Sequence, residues 1–512
     1  MLNLSVLLED SARNHPDRTA LVLDEKRMTY REVDAAASQV ANLLAERGIA
    51  SGDKVALSCP NRPEFAIVYY GILKAGAIVV PLNVLLKRRE IAYHLADAGA
   101  VAYFCFEGSA ELPVGQEGRQ AFDDVAAVEH FFLIAAAPET STAAETLHEA
   151  LAGQPETFES AGTEATDTAV ILYTSGTTGQ PKGAELSHGN TMLNVLTLNR
   201  ILRNRPAGDS HVVCLPLFHT FGATAQLHAG FSTAATLHLV PRFDACRVVR
   251  LMSEEDITFF AGVPTMWWGL LRELGPDVDA ARIVKNLRIG MSGGAPLPVE
   301  LIKEIDARLG VRVIEAYGLS ETSPLATIGD PGAPPRPGSI GKPVWGVQLK
   351  LIKPDWTEVT GPGEVGEIAV RGHNVMKGYH GRPEATADAI RDGWFRTGDL
   401  ARRDDDGWYY IVDRAKDMII RGGYNVYPRE IEEVLLTHPA VSLVAVVGVP
   451  HDSHGEEVKA FVIPRDGAEV TPRELVEWSK EQMAGYKYPR LVEIVGSLPT
   501  TATGKILKRR LR

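Results

Sequence analysis

Short apolar runs of strand length, each set off by stretches of helical spacing, recur through the first half of this chain. Residues 54–59 (KVALSC), 76–82 (GAIVVPL) and 101–106 (VAYFCF) form one series, and residues 211–217, 235–241 and 257–264 form a second. Runs without polar alternation belong to strands buried on both faces, the situation of parallel sheets covered by helices. The segments between supply the helices. Thr29 followed by Glu32 reads as a capping box, and Val33, Ala37, Val40 and Leu44 then recur at helical spacing up to Gly48. Two such series in 512 residues exceed one hydrophobic core, so at least two domains are expected.

Charge and cysteine usage narrow the partners. Lys and Arg total 53 against 65 Asp and Glu, a net charge of -12 that would repel a phosphate backbone, so nucleic acid is not an expected partner. Cys59, Cys105, Cys214 and Cys246 lie far apart with no CxxC pair, which suits free thiols in a reducing cytoplasm and gives no zinc signal. Residues 1–9 lack the basic start of a signal peptide. The most membrane-like stretch, residues 65–86, is interrupted by Lys74, Gly76, Pro81 and Asn83, where a span needs roughly 20 apolar residues. It reads as a buried helix followed by a buried strand, with no transmembrane segment. Residues 138–165, rich in Ala, Glu and Thr, read as a surface connection.

Near Asp399 the pattern changes to strand, turn, strand (residues 400–413, LARRDDDGWYYIVD). A two-residue Asp406-Gly407 turn sets Asp405 against Trp408 and, carried outward, Asp399 opposite Arg414. The rest reads as a compact α+β unit: a helix over 429–436, strands near 443–449 and 459–464, a helix over 474–483 and a final strand near 491–495. The expected fold class is therefore α/β. A large N-terminal domain of covered sheets spans 1–413, a hinge lies at 414–416, and a small, mobile α+β domain spans 417–512.

The strongest chemical signal follows the apolar run AVIL: Tyr173, Thr174, Ser175, Gly176, Thr177, Thr178, Gly179, Gln180, Pro181, Lys182 and Gly183. Glycines let backbone N–H groups turn toward an anion, hydroxyls add donors and the lysine adds charge, so the loop suits polyphosphate. It is not a Walker A loop, because Pro181 and Gly183 flank the lysine where Gly and Ser or Thr are required.

This loop, followed in order by residues 291–297 (MSGGAPL), 317–322 (YGLSET), Thr397-Gly398-Asp399, 413–417 (DRAKD) and Thr503-Gly504-Lys505, resembles the adenylate-forming superfamily of acyl-CoA synthetases, luciferases and peptide-synthetase adenylation domains, and within it the fatty-acyl-CoA synthetases. Such enzymes join a carboxylate to the α-phosphate of ATP, two anions whose repulsion the site must neutralise. The resemblance implies ATP, magnesium and coenzyme A as cofactors. Lys505 is then expected between substrate carboxylate and α-phosphate. Glu321, with Thr174, is expected to hold magnesium against the phosphates. Tyr317 is expected to stack on adenine, in a slot shaped by Gly294, Ala295, Glu315, Ala316, Gly318 and Ser320. Asp399, an acceptor-only carboxylate, would take both ribose hydroxyls with Arg414 beside it.

The resemblance also implies a second step in which the small domain turns about Lys416 and brings Gly422, Gly423 and Tyr424 to the pantetheine arm. Luciferase-like and aryl-acid members carry a lysine where this chain has Ile420. His219, in LPLFHTFG, matches the histidine lining the acyl site, for which a positioning role is expected; Phe221, Gly222, Gly290 and Met291 complete the expected pocket. Gly222, Gly290 and Gly293 are expected to leave room there, with Trp267 and Trp268 shortening it. No aspartate stands where amino-acid-activating relatives pair an amino group, and the lining segments are mainly apolar, so the expected acid is a medium- or long-chain fatty acid. Arg288 leaves a dicarboxylate open. An aryl acid, an acyl-AMP ligase loading a carrier protein, and a non-catalytic nucleotide-binding regulator are the other readings, and a homodimer is compatible with all of them. Retention of Lys182, Glu321, Asp399 and Lys505 together argues against the regulator. His451 and His454 read as a surface turn with no third metal ligand.

Overall fold

The structure, a computed structural model, describes residues 2–136, 144–174, 180–334, 336–451 and 453–512. Both apolar series form parallel sheets. In the first, Thr168–Thr174, Ile78–Pro81, Lys54–Ser58, Ala100–Phe106 and His130–Ile134 run parallel in that spatial order, and Lys182–Ser187 pairs antiparallel on Thr168–Thr174. In the second, Thr19–Leu23, Thr236–Leu239, Ser210–Val213, Phe259–Gly262, Ile289–Gly293 and Val313–Gly318 are parallel, with antiparallel strands at both edges.

The helix Pro63–Lys74 is buried at every position except Glu64, and one core joins its side chains to those of both sheets. Being buried all round, it has no polar face, which is why its sequence approaches membrane character. Lys74 ends it inside the protein, paired with Asp34 at 2.9 Å and Glu9 at 3.3 Å. Among the described residues no helix is long and apolar enough to cross a membrane. The predicted capping box closes the start of the helix Tyr30–Glu46 through Thr29 and Glu32. Within the 138–165 connection, residues 138–143 lie outside the described set, and Leu147–Leu151 forms a short helix with its own Thr146–Glu149 capping box.

Asp399 does pair with Arg414, though not by the predicted turn. Asp404 and Trp408 exchange the last backbone bond, with the Asp404 N–H donating to the Trp408 carbonyl at 3.0 Å, so the loop is Asp405, Asp406 and Gly407 rather than two residues. Gly407 takes the left-handed position (φ 81°) of that loop. Asp405 therefore does not face Trp408, and the strands start one residue out of the predicted register, Arg403 opposite Tyr409. The ladder shifts between Ala401–Ile411 and Leu400–Asp413, leaving Val412 as the extra residue of a bulge. The two offsets cancel before Asp399.

Beyond 414–416 the small unit pairs Tyr424–Val426, Ile419–Arg421, Gly455–Pro464 and Val441–His451, with Leu491–Ile494 added parallel and helices Pro428–Leu435 and Pro472–Gln482 packed alongside. Its core, including Ile419, Ile431, Val444, Val458 and Leu475, is separate from that of the large unit.

Candidate active site

Thr174, Gly262, Gly293 and Gly318 are the final residues of parallel-sheet strands. Ligands of open α/β sheets sit outside these carboxyl ends, where loops leave the sheet. Thr174 and Lys182 are opposite each other at the mouth of the hairpin whose loop is the polyphosphate candidate. Ser175, Gly176, Thr177, Thr178 and Gly179 themselves lie outside the described residues. The Thr174 hydroxyl donates to Glu321 Oε1 at 3.0 Å, a contact from the first sheet to a turn that follows a strand of the second. Tyr379 donates to the same oxygen at 3.2 Å, and Lys182 Nζ lies 5.2 Å from the Tyr379 ring centre. Glu321 is buried, on the turn Ser320–Thr322. A carboxylate with a hydroxyl beside it is a hard-oxygen pair suited to magnesium. Among the described residues no group of three or more His, Cys, Asp or Glu that could hold a metal ion is present. Tyr379 was not anticipated; its one sequence signal is its setting between Gly378 and Gly381.

Asp399 has both oxygens engaged: Oδ1 accepts from Arg414 Nε at 2.8 Å and Oδ2 from the Tyr317 hydroxyl at 2.8 Å. Burial, with Asp399 adding to it, pushes the Tyr317 phenol far above its ordinary range, so it stays a donor. Each carboxylate oxygen keeps a lone pair for a further donor. Glu315 accepts the Leu297 N–H at 3.1 Å, and burial raises its carboxyl to about 7 despite the Arg429 charge nearby. Gly293 pairs with Ala316 across the neighbouring strands, and Gly294 and Ala295 leave the sheet there. Gly318 is required by packing: a Cβ would strike the carbonyl of Pro324.

Lys505 enters this space from the small unit. Its turn is closed by Thr501, whose N–H donates to the Lys505 carbonyl at 2.7 Å and whose hydroxyl accepts the Lys505 N–H at 3.1 Å. Gly504 sits at φ 80°, its carbonyl accepting from Thr265 at 2.7 Å. The lysine stem lies against Gly294, where a built Cβ would be 2.8 Å from Lys505 Cε. Burial, then the Arg414 charge, lowers the ammonium to about 8, with Asp399 and Glu321 opposing. His219 is pushed to about 3 by burial and by Lys505, and its Nδ1 accepts the Phe221 N–H at 3.2 Å. The imidazole is thus neutral, with Nδ1 occupied by a backbone N–H.

The glycines expected to leave room in the pocket do not. The space beside Gly290 is filled by the Trp267 indole, 2.5 Å from a built Cβ; beside Gly293 the Phe221 ring stands at 3.2 Å; at Gly222 the carbonyls of Leu215 and Pro216 press on the backbone. These glycines admit close neighbours, not substrate. Trp267 is fully buried, its N–H donating to the Met291 carbonyl at 3.3 Å. Trp268, expected to shorten the pocket, points the other way and donates to Ser442 of the small unit at 2.8 Å. Arg288 is committed to the fold, with Nη2 at 2.8 Å from Asp209 and Nη1 at 2.9 Å from the Leu202 carbonyl.

Lys416 is exposed, and the Ala415 N–H donates back to the Gly398 carbonyl at 3.0 Å. Asp413 Oδ2 accepts the Arg429 N–H at 3.1 Å, so a residue before 414–416 bonds the first turn of the helix Pro428–Leu435 beyond it. Gly422 and Gly423 both take positive φ (56° and 85°), and the Gly422 N–H donates to the His454 carbonyl at 2.8 Å. His454 thus supports this loop, its ring stacked on that of His451 at 4.8 Å. Tyr424 stacks on Tyr486 at 4.7 Å yet is 58% exposed, and Ile420 is 53% exposed.

Two family profiles match the chain: "AMP-binding enzyme" over residues 8–380 and "AMP-binding enzyme C-terminal domain" over 430–505. A long-chain-fatty-acid–CoA ligase of Bacillus subtilis is 35% identical, with 99% of this chain and 94% of the relative aligned. A feruloyl-CoA synthase of an Amycolatopsis species is 36% identical, with 98% and 96% aligned. Among solved structures, ATP-bound MatB from Rhodopseudomonas palustris superposes with a TM-score of 0.90 at 34% identity, covering 100% of this chain and 98% of that one. The anthranilate–CoA ligase AuaEII in complex with anthranoyl-AMP also reaches 0.90, at 31% identity, covering 100% and 96%.

Proposed function

The chain belongs to the AMP-binding enzymes, among their AMP-forming acyl-CoA ligases, and on that footing we propose that it activates a medium- or long-chain fatty acid and passes the acyl group to coenzyme A. The observation that carries the reading is the seat of Lys505: a cation from the small unit lies against Gly294, in the field of Glu321, Asp399 and Arg414. In the first half-reaction a carboxylate oxygen of the acid bonds to the α-phosphorus and pyrophosphate leaves. Lys505 sits between the two anions and offsets the charge that gathers as they meet. Asp399 and Arg414 hold the ribose, Tyr317 flanks the base, and Lys182 faces the outer phosphates. Thr174 and Glu321 would hold magnesium, which when bound neutralises phosphate charge and sharpens pyrophosphate as a leaving group. In the second half-reaction the small unit turns at 414–416, the coenzyme A thiolate attacks the acyl carbonyl, and AMP departs with the carbonyl–phosphate oxygen. The exposed Ile420 and Tyr424 beside Gly422 and Gly423 are consistent with a surface that is covered in that second orientation.

An alkyl substrate is favoured because Phe218, Phe221 and Met291 make the expected lining apolar, and burial contributes about 0.8 kcal/mol per CH₂. Arg288 is spent on Asp209, which argues against a dicarboxylate. The feruloyl-CoA synthase relative supports a second reading, an aryl acid. A panel of straight-chain, aryl and dicarboxylic acids, assayed for coenzyme A-dependent thioester formation, decides between them. The fatty-acid reading fails if no straight-chain acid supports ATP–pyrophosphate exchange.

A further inference from the structure

The helix Pro264–Arg272 has two faces with different tasks. Met266, Trp267, Leu270 and Leu271 are buried in the core of the large unit. On the opposite stripe, Thr265, Trp268 and Arg272 follow one another at offsets of three and four residues, the spacing that aligns side chains along one side of a helix. Each reaches a different segment of the small unit. Thr265 donates to the Gly504 carbonyl at 2.7 Å, Trp268 Nε1 to Ser442 Oγ at 2.8 Å, and Arg272 Nη2 to both Asp466 oxygens at 2.6 and 2.7 Å. The Arg272 guanidinium also lies 4.9 Å above the Trp268 ring, so two of the three contacts brace each other.

We propose that this stripe is a docking rail that holds the small unit in the orientation presenting Lys505, making Trp268 and Arg272 positioning residues of adenylate formation. The proposal rests on the two-step reading above. Gly504 adjoins the lysine, Ser442 lies in the strand Val441–His451, and Asp466 follows the strand Gly455–Pro464, so the rail runs from the reacting end of the interface to its outer edge. Turning about 414–416 moves all three partners relative to a helix fixed in the other unit, and the rail must open before the thiol can enter. Its strength then sets how the enzyme divides its time between the half-reactions. Neither Trp268 nor Arg272 touches the acid or the nucleotide in this role.

The test compares the two half-reactions in the full-length enzyme, using the acid that gives the fastest exchange. ATP–pyrophosphate exchange needs the lysine-in orientation; thioester formation from the preformed acyl-AMP and coenzyme A needs the other. For the Trp268→Phe/Arg272→Ala double variant, exchange is expected to fall five- to twenty-fold while thioester formation from acyl-AMP is retained or raised. Asp466→Asn, in an exposed position, is expected to lower exchange two- to three-fold without loss of thermal stability. Arg272→Asp combined with Asp466→Arg is expected to recover at least half of the exchange that either single change removes. Equal losses in both assays, or exchange unchanged in the double variant, overturns the rail. A Lys505→Ala variant run alongside separates the two levels: if it keeps full exchange, the lysine reading itself fails, whereas if it loses exchange and the double variant does not, the rail alone fails.

Discussion

The charge on Lys505 has a pH limit set by its surroundings. Burial and Arg414 bring its ammonium down to about 8, so in the free enzyme the positive charge is present below that value and lost above it. Since kcat/KM reports the free enzyme, its profile in ATP–pyrophosphate exchange is expected to fall above about pH 8, while kcat declines only at higher pH because the bound anions favour the charged lysine. A kcat/KM profile level to pH 10 contradicts this. Two glycines give sharper tests. Gly294→Ala sets a methyl 2.8 Å from Lys505 Cε at a backbone φ of 79°; displacing the lysine by about 1 Å is expected to cost about 10²-fold in exchange. Gly290→Ala instead meets the rigid indole of Trp267, and is expected to lower stability by about 1–3 kcal/mol, read from thermal or denaturant unfolding.

At the scale of elements, much could be read from the residues and the exceptions have definite causes. The capping box at Thr29 and the six apolar runs were legible because each signal is local: a side chain bonding its own helix end, or a strand with no polar face. The Asp399–Arg414 pairing was legible only because a three-residue loop and the bulge at Val412 offset one another. Turn length cannot be read from Asp-Gly alone, since Gly407 serves a two-residue or a three-residue loop equally well. The filling of Gly290 by Trp267 and the outward direction of Trp268 were not legible. Adjacent residues on a helix point about 100° apart, and which of two neighbouring tryptophans faces the sheet depends on packing partners distant in sequence. The three-residue loop makes its own prediction. Gly407→Ala, at φ 81°, is expected to cost about 1–2 kcal/mol in unfolding free energy while exchange kinetics change by less than twofold.

Across the whole molecule, the large unit carries a set of imidazoles that burial keeps neutral. Burial lowers His188, His211 and His238 to about 4, and His219 and His228 to about 3. Among the described residues neither ring nitrogen of His211 has a hydrogen-bond partner. Unfolding frees these groups to titrate near 6.5, so their neutral burial is without penalty above that pH and costs stability as pH falls toward 4, by up to about 1.4 kcal/mol per pH unit for each. The melting temperature is expected to drop steeply between pH 6.5 and 4.5, with a shallower slope in His211→Leu. A melting temperature unchanged down to pH 5 would falsify the account.

The contact between Gly294 and Lys505 also bears on how such a protein can change over generations. The bare Cα at 294 is the floor on which a side chain from another domain rests, so a larger residue at 294 and a lysine at 505 are expected to compete for one space. Mutations that swell the first expel the second, and a small domain transplanted from a relative inherits a working lysine only if its new host has kept that vacancy. Residues separated by most of the second half of the gene are thus bound into one heritable unit, and shuffling between them succeeds only when both ends travel with compatible partners.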